Sequence, residues 1–394
     1  MPLQPPPERL ELRRLAPLFA SYLVFGAYWG VWVVVFADFL VDRRMTEGQA
    51  GFQLAALSVA SIVTMTLVSP RLQRLHLTVT IPLGLVTMGL GAALMAGTPR
   101  ALLTLPFVVL GIGNGLLDVF VNVGGQMAET RHRRPVLQFL HASYNVGGIV
   151  GALGAGLAVT TGAPFRTALF GVAAAFGAVA IWCASSAWMR AQPGPEAAET
   201  KVSVSVFRRS PALILPAIVV LSAFMVEGSM DIWSVIYVRE TLQASAIAGA
   251  VAFALFSLAM AVGRLFAGRI LFGLGYRRTI RVSGIGSLVA GLAAALTSST
   301  VVAGVAFLFL GFFISAAAPA AFGMISETDE DPALAIAAMT TVGYTGFVVG
   351  PPIMGWLAQT AGMRATMLVL VSVTIGVFLG GVLGPKRERQ PRLR

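Results

Sequence analysis

Residues 145–166 read NVGGIVGALGAGLAVTTGAPFR, and residues 344–364 read YTGFVVGPPIMGWLAQTAGMR. Gly147, Gly151 and Gly156 in the first match Gly346, Gly350 and Gly355 in the second, and each set is followed by a further glycine and an arginine, Arg166 or Arg364. The same offset of about 200 residues relates LPFVVLG, ending at Gly111, to VAFLFLG, ending at Gly311. Small residues at this spacing let apolar helices approach closely. Two such segments, half a chain apart, predict a duplicated helical unit.

Working outward, apolar stretches fall at about 15–39, 48–69, 77–97, 102–127, 136–161 and 165–189. After the polar segment AQPGPEAAETKVSVSVFRRS, six more run at about 212–238, 246–271, 279–298, 300–325, 333–360 and 364–384. Each is near the roughly 20 residues that a spanning helix needs. The expected fold is an all-α membrane protein of twelve transmembrane helices in two pseudo-symmetric six-helix bundles, 1–190 and 212–394, joined by a linker at 191–211. Thr46-Glu47-Gly48-Gln49 has capping-box spacing before the second helix, and Pro135, Pro211 and Pro332 sit near helix starts.

Composition excludes most other classes. Hydrophobic residues make up 57% of the chain and charged residues 11%, with a mean hydropathy of +0.82, whereas about a quarter of an ordinary soluble domain is charged. Twelve spans leave no room for a soluble catalytic domain, and no nucleophile-base set appears, so an enzyme is not expected. The lone Cys183 excludes an internal disulfide, and no spaced Cys/His group suggests a metal. No cofactor is expected. GIGNG at 111–115 resembles part of a dinucleotide fingerprint, but no strand precedes it. It reads as helix packing, as do Gly147, Gly148, Gly151 and Gly154. MPLQPPPERLELRR at the start lacks the apolar core and cleavage site of a signal peptide, so retention of the amino terminus is expected.

The net charge of +11 and isoelectric point near 10.9 raise the question of nucleic acid. With twelve spans, 21 of the 28 basic residues fall on the side of both termini and six on the other, while Arg264 lies within the eighth helix. By the positive-inside rule both termini and the linker are cytoplasmic. The basic excess is a topology signal for a bacterial inner membrane, and no nucleic-acid partner is expected.

The runs GYTGFVVGPPIMGWLAQTAGMR (343–364) and GRLFAGRILFGLGYRR (263–278) resemble the eleventh helix and the signature loop between helices eight and nine of the major facilitator superfamily. The loop departs from the usual signature: Phe272 and Gly273 stand where an Asp-Arg pair is usual, and SPRLQRLHL in the first half keeps only Arg71 and Arg74. DVFVNVGGQMAE and EGSMDIWSVIYVRE are similar to phrases in the fucose permease-like branch and its uncharacterised bacterial inner-membrane relatives. The resemblance implies alternating access, with helices one, four, seven and ten lining a central cavity.

Of the seventeen acidic residues, three lie well inside apolar spans: Asp118, Glu227 and Asp231. A carboxylate in hydrocarbon is expensive, which directs each to the bundle interior. Asn114, Asp118 and Asn122 share one stripe of the fourth helix, and Glu227, Asp231 and Ser234 share one of the seventh. The tenth helix has Ile314 and Ala318 where the fourth has Asn114 and Asp118, so the halves differ chemically. These acids are candidates for proton coupling, with interhelical hydrogen bonding as the competing reading. His141 joins them because an imidazole titrates near neutrality, although a lone histidine also serves as a packed hydrogen-bonding residue. Gln138, His141 and Asn145 share one face of the fifth helix.

Candidate substrate contacts are Tyr28, Trp32, Asn114, Asn122, Gln138, Tyr144, Asn145, Trp233 and Tyr344, since rings with a polar edge stack on a sugar or heterocycle while donating a hydrogen bond. Tyr237, near a helix end, reads as an interfacial belt residue. Arg264 is the intramembrane cation, for an ion pair or an anionic substrate group. Arg277 and Arg278 are candidates for ion pairing or gating, including a latch to the acidic loop Glu327, Asp329, Glu330 and Asp331; a solvated loop is the competing reading.

The expected function is a proton-coupled secondary transporter, a symporter for a small polar solute such as a sugar or sugar derivative. The alternative is multidrug or metabolite efflux by proton antiport; the fifth helix, reading GGIVGALGAG, lacks the Gly-Pro of the antiporter signature. The expected partners are a small-molecule substrate, protons and the lipid bilayer, with the chain a monomer. A reporter fused after Arg394 should read cytoplasmic, and periplasmic exposure there would overturn the topology.

Overall fold

The computed structural model describes residues 12–134, 136–191, 206–328 and 330–384. Pro135, Asp329, most of the linker and the outermost basic residues of both tails lie outside these. Among the described residues no strand occurs, and twelve helices are long and apolar enough to cross a membrane. They are α1 (Leu12–Arg43), α2 (Glu47–Leu72), α3 (Leu77–Gly97), α4 (Thr104–His132), α5 (Leu137–Thr160) and α6 (Phe165–Ser185). There follow α7 (Pro211–Thr241), α8 (Ala246–Leu274), α9 (Tyr276–Leu296), α10 (Thr300–Glu327), α11 (Pro332–Ala361) and α12 (Met363–Leu383). This is the twelve-helix fold that the apolar stretches predict.

The chain divides into two compact units, residues 1–198 with 245–250 and residues 199–244 with 251–394. Within the first, α1 lies along α5, α2 along α4, and α3 along α4 and α6. Within the second, α7 lies along α11, and α9 along α10 and α12. The internal pairings repeat, and so do their contact points. A Cβ at Gly147 would fall on the carbonyl oxygen of Leu23, and one at Gly346 on that of Leu221. One at Gly111 would fall on the carbonyl of Leu57, and one at Gly311 on that of Phe256. These pairs keep the offset of the sequence repeat, so the duplication extends to the individual close approaches.

Local signals decide the helix ends. The backbone N–H of Gln49 donates to Thr46 Oγ1 at 3.3 Å, and that of Thr46 donates to Gln49 Oε1 at 3.2 Å, completing the capping box at the start of α2. Arg43 donates to the carbonyls of Ala96 (3.0 Å) and Met95 (3.3 Å) at the end of α3. In the other unit Arg364 donates to Ala295 O (2.9 Å) at the corresponding end of α9. A cation there offsets the negative end of the helix dipole. α10 is interrupted at Ala316, where the sequence predicts a continuous span. Pro319 has no N–H for the Ser315 carbonyl and crowds the turn before it.

Many apolar side chains face outward, among them Leu83, Val86 and Leu90 on α3 and Val301, Val305 and Phe309 on α10. In water such a surface would drive association; in a bilayer it is the matched face. The glycines separate by role. A Cβ at Gly151 would collide with the carbonyl of Ala27, whereas one at Gly154 would meet nothing within 4 Å. Gly154, which the sequence groups with the packing glycines, is therefore not one. Gly151→Ala should cost about 1–3 kcal/mol as an overpacked contact, and Gly154→Ala should gain about 0.5–1 kcal/mol from helix propensity. Thermal midpoints of the two purified variants should move in opposite directions.

Candidate functional site

In the first unit the membrane carboxylate meets a tyrosine that its own helix does not supply. Close contact of α1 with α5 sets Tyr22, 2% exposed, between α4 and α5. Asn122 Nδ2 donates to the Tyr22 hydroxyl at 2.7 Å, and to the Asp118 backbone carbonyl at 2.7 Å and Oδ1 at 3.3 Å. The Tyr22 hydroxyl in turn donates to Asp118 Oδ1 at 3.5 Å. From α5 the His141 ring meets Tyr22 edge-on at 5.3 Å between centroids, and Tyr144 lies at 5.9 Å. Asp118, Asn122, His141 and Tyr144 thus converge on one phenol.

Sequence analysis missed Tyr22, although a signal exists. Tyr22, Gly26 and Gly30 recur every four residues, and a Cβ at Gly26 or Gly30 would strike the carbonyl of Tyr144 or Gly148 on α5. A tyrosine on a helix's packing stripe is directed at the partner helix. Asn114 does not join the carboxylate as its spacing suggests: Nδ2 donates to Ser61 Oγ on α2 at 2.9 Å, because that face of α4 packs on α2. Gln138 is exposed and Asn145 half-buried on α5.

Tyr28 and Trp32 lie elsewhere. Their rings are parallel within 9°, and they are walled in by Phe176 on one side and Phe36, Phe39 and Phe107 on the other. At 0% and 1% exposure both rings, expected as substrate contacts, are enclosed among these aromatic residues in this structure. An amphipathic ring on an apolar helix fits a core as readily as a cavity. Their hydroxyl and indole N–H find no hydrogen-bond partner among the described residues.

In the second unit Arg264 Nη2 on α8 lies 2.6 and 2.7 Å from the two carboxylate oxygens of Glu227 on α7. Asp231 is half-buried one turn further along α7. The Arg264 side chain is 40% exposed and that of Glu227 18%, so the pair is reachable rather than sealed in the core. Trp233, 1% exposed, donates Nε1–H to the Pro351 carbonyl at 3.0 Å and is a packing residue here. Tyr237 is not an interfacial ring either: it is fully buried, and its hydroxyl donates to the Ala294 (2.8 Å) and Ala295 (3.1 Å) carbonyls at the end of α9. Tyr344 is 42% exposed and meets Phe224 edge-on at 6.1 Å. Arg277 donates to the Gly381 (3.4 Å) and Val382 carbonyls at the end of α12, and Arg278 is exposed; Asp329 of the acidic loop lies outside the described residues. Among the described residues no three of His, Cys, Asp and Glu gather as metal ligands.

Residues 18–330 match the sequence model of the Major Facilitator Superfamily. An uncharacterised transporter of that type from Yersinia pestis is 25% identical over 346 residues, 87% of this chain and 88% of its own. An uncharacterised transporter from Sinorhizobium fredii is 26% identical, covering 93% of this chain and 96% of its own. A bacterial homologue of the human lysosomal transporter Spinster, inward-facing and unoccupied, superposes with a TM-score of 0.76 at 14% identity, covering 96% of this chain and 98% of its own. The nucleoside transporter NupG superposes with a TM-score of 0.70 at 12% identity, covering 95% and 99%. Both structural likenesses carry the fold alone.

The Tyr22–Asn122 bond links two helices through one hydroxyl, so removing either partner should remove most of what the other contributes. A double-mutant cycle of Tyr22→Phe and Asn122→Ala, followed by SDS unfolding, should show a coupling of about 1 kcal/mol. Additive losses would mean the contact contributes nothing.

Proposed function

The chain belongs to the Major Facilitator Superfamily, and from that membership we propose that it is a proton-coupled transporter of a small polar solute, a sugar or sugar derivative. It is a multi-pass membrane transporter rather than an enzyme. In this proposal two six-helix halves, 1–190 and 212–394, alternate access as a monomer in a bacterial inner membrane, with both termini and the 191–211 linker cytoplasmic. The basic-residue asymmetry supports that orientation.

The observation that carries proton coupling is the network at Asp118. A proton carrier needs partners that serve it in both states. The Tyr22 hydroxyl, at 3.5 Å, can donate to the carboxylate or, after rotating, accept from the acid, and the Asn122 amide donates to either form. Glu227 differs, because both of its carboxylate oxygens lie against one guanidinium, at 2.6 and 2.7 Å, and its place is read as that of an ion pair. Asp118 is therefore the proton site of this proposal, with Glu227 the rival and Asp231 and His141 its neighbours on the two polar faces. Tyr144, 5.9 Å from Tyr22, together with Asn145 and Gln138 on the same helix, supplies a ring and amides that suit hydroxyl-rich solutes. Tyr344 offers a second ring in the other half. NupG carries a nucleoside, itself a sugar derivative, but a likeness at 12% identity lends no substrate to this chain.

In proteoliposomes loaded with a pH-sensitive dye, addition of the transported monosaccharide, polyol or glycoside should move protons inward with the solute. Movement in the opposite sense would assign proton antiport and efflux. Asp118→Asn should abolish accumulation against a gradient and keep solute exchange, since the amide mimics the protonated carboxyl. Wild-type accumulation by that variant would remove Asp118 from the mechanism. Glu227→Gln should instead lower the yield of folded protein, because it leaves Arg264 without that carboxylate, a loss of about 1 kcal/mol for a pair as exposed as this one. Glu227→Gln with Arg264→Gln should recover part of that yield.

A further inference from the structure

The polar stripe of α7 holds more acid than the second unit has base to pair with at that depth. Glu227, Asp231 and Ser234 lie at i, i+4 and i+7, and α8 brings Arg264 to the first of them. Arg264 Nη2 meets both oxygens of Glu227, at 2.6 and 2.7 Å. Among the described residues its Nη1 and Nε make no hydrogen bond, although the side chain is 40% exposed. Asp231 is half-buried, and among the described residues its carboxylate accepts no hydrogen bond. Of the 28 lysines and arginines, Arg264 alone falls within a span, so the sequence supplies no second one at this depth.

A carboxyl group in an apolar surround is held either protonated or against a cation. The cation that Asp231 lacks is one that a solute can bring. Ser234 is a second and independent sign of a ligand: it is 0% exposed, one turn beyond Asp231, and its hydroxyl finds no hydrogen-bond partner among the described residues. Buried hydroxyls are rarely left so. Carboxylate and hydroxyl are both acceptors for the N–H groups of an ammonium, whereas the unused N–H groups of Arg264 are donors for hydroxyl oxygens. Glu227, which holds Arg264, and Asp231 are one helical turn apart, about 6 Å along the axis. Acceptors for an amine and donors for hydroxyls thus stand within reach of one small molecule. An anionic solute would meet two carboxylates there.

We propose that this stripe is a subsite for the amine of an amino sugar or amino polyol. The ammonium lies on Asp231 and Ser234, and neighbouring hydroxyls lie on Arg264. Glu227 is a positioning residue, which keeps the guanidinium turned toward the stripe. The inference rests on the reading of the chain as a transporter of small polar solutes, and it narrows that class to solutes carrying a basic nitrogen.

The full chain in detergent, titrated with glucosamine, galactosamine and mannosamine, tests the subsite, each against its parent hexose and its N-acetyl derivative. The N-acetyl form keeps the nitrogen and loses the charge. At least one amino sugar should bind about tenfold more tightly than both of its neutral counterparts, the gain from a hydrogen bond to a charged group. Asp231→Asn should abolish that difference and leave the amino sugar no tighter than its parent. If that variant is not recovered folded, Ser234→Ala should still narrow the difference, by about threefold, and the comparison in the unaltered chain needs no variant. No binding by any of the amino sugars, or equal affinity for amine and N-acetyl forms, would overturn the proposal. So would an amine preference that persists in Asp231→Asn. In proteoliposomes, inward proton movement with a neutral hexose and no preference for the amine would overturn the subsite and leave the symport reading. An amine preference that depends on Asp231, with protons moving outward, would keep the subsite and overturn that reading.

Discussion

A methyl group at Gly147 would overlap the carbonyl oxygen of Leu23, and one at Gly346 that of Leu221. Everything else in each unit depends on these close approaches. In hydrocarbon there is no water for apolar faces to escape, so helices are held together by packing and by whatever polar contacts the packing brings into reach. When two backbones come this near, side chains beside the contact are forced into register across it. Tyr22, one turn from Gly26, reaches Asn122 and Asp118 because α1 cannot slide along α5 without pushing a backbone onto a carbonyl.

The two units share that scaffold and differ in what it carries. In the first, the membrane carboxylate sits with a phenol and an amide, partners that tolerate gain or loss of a proton. In the second, the carboxylate sits with a guanidinium as one half of an ion pair. Duplication thus preserved the glycines that set helix distance while the polar stripes diverged. That pattern follows from the physics: a changed packing glycine costs the whole unit, whereas a changed stripe residue alters only the chemistry it presents.

Polar side chains outside the two clusters serve the helix ends. Arg43, Arg364, Tyr237 and Arg277 each donate to terminal carbonyls that would otherwise face an apolar surround. Several of these residues look functional in a sequence because a charge or a phenol near a span is rare. Their use as caps follows from a constraint that periodicity does not reveal, namely that each helix leaves its last carbonyls unpaired.

Hydropathy, the repeat of Gly147-Gly151 at Gly346-Gly350 and the capping box at Thr46 determined the helix count, the duplication and most boundaries, because each is a local property of the chain. The stripe of Asn114, Asp118 and Asn122 was also legible, being fixed by the helical repeat alone. Which neighbour each stripe residue meets was not. Asn114 turned to Ser61, Trp32 went into an aromatic core, Trp233 to the Pro351 carbonyl, and Tyr22 became the centre of the cluster. A sequence specifies the face of a helix on which a residue lies, but the rotation and height of one helix against another decide its partner, and those are settled only when backbones meet at glycines far apart in the chain.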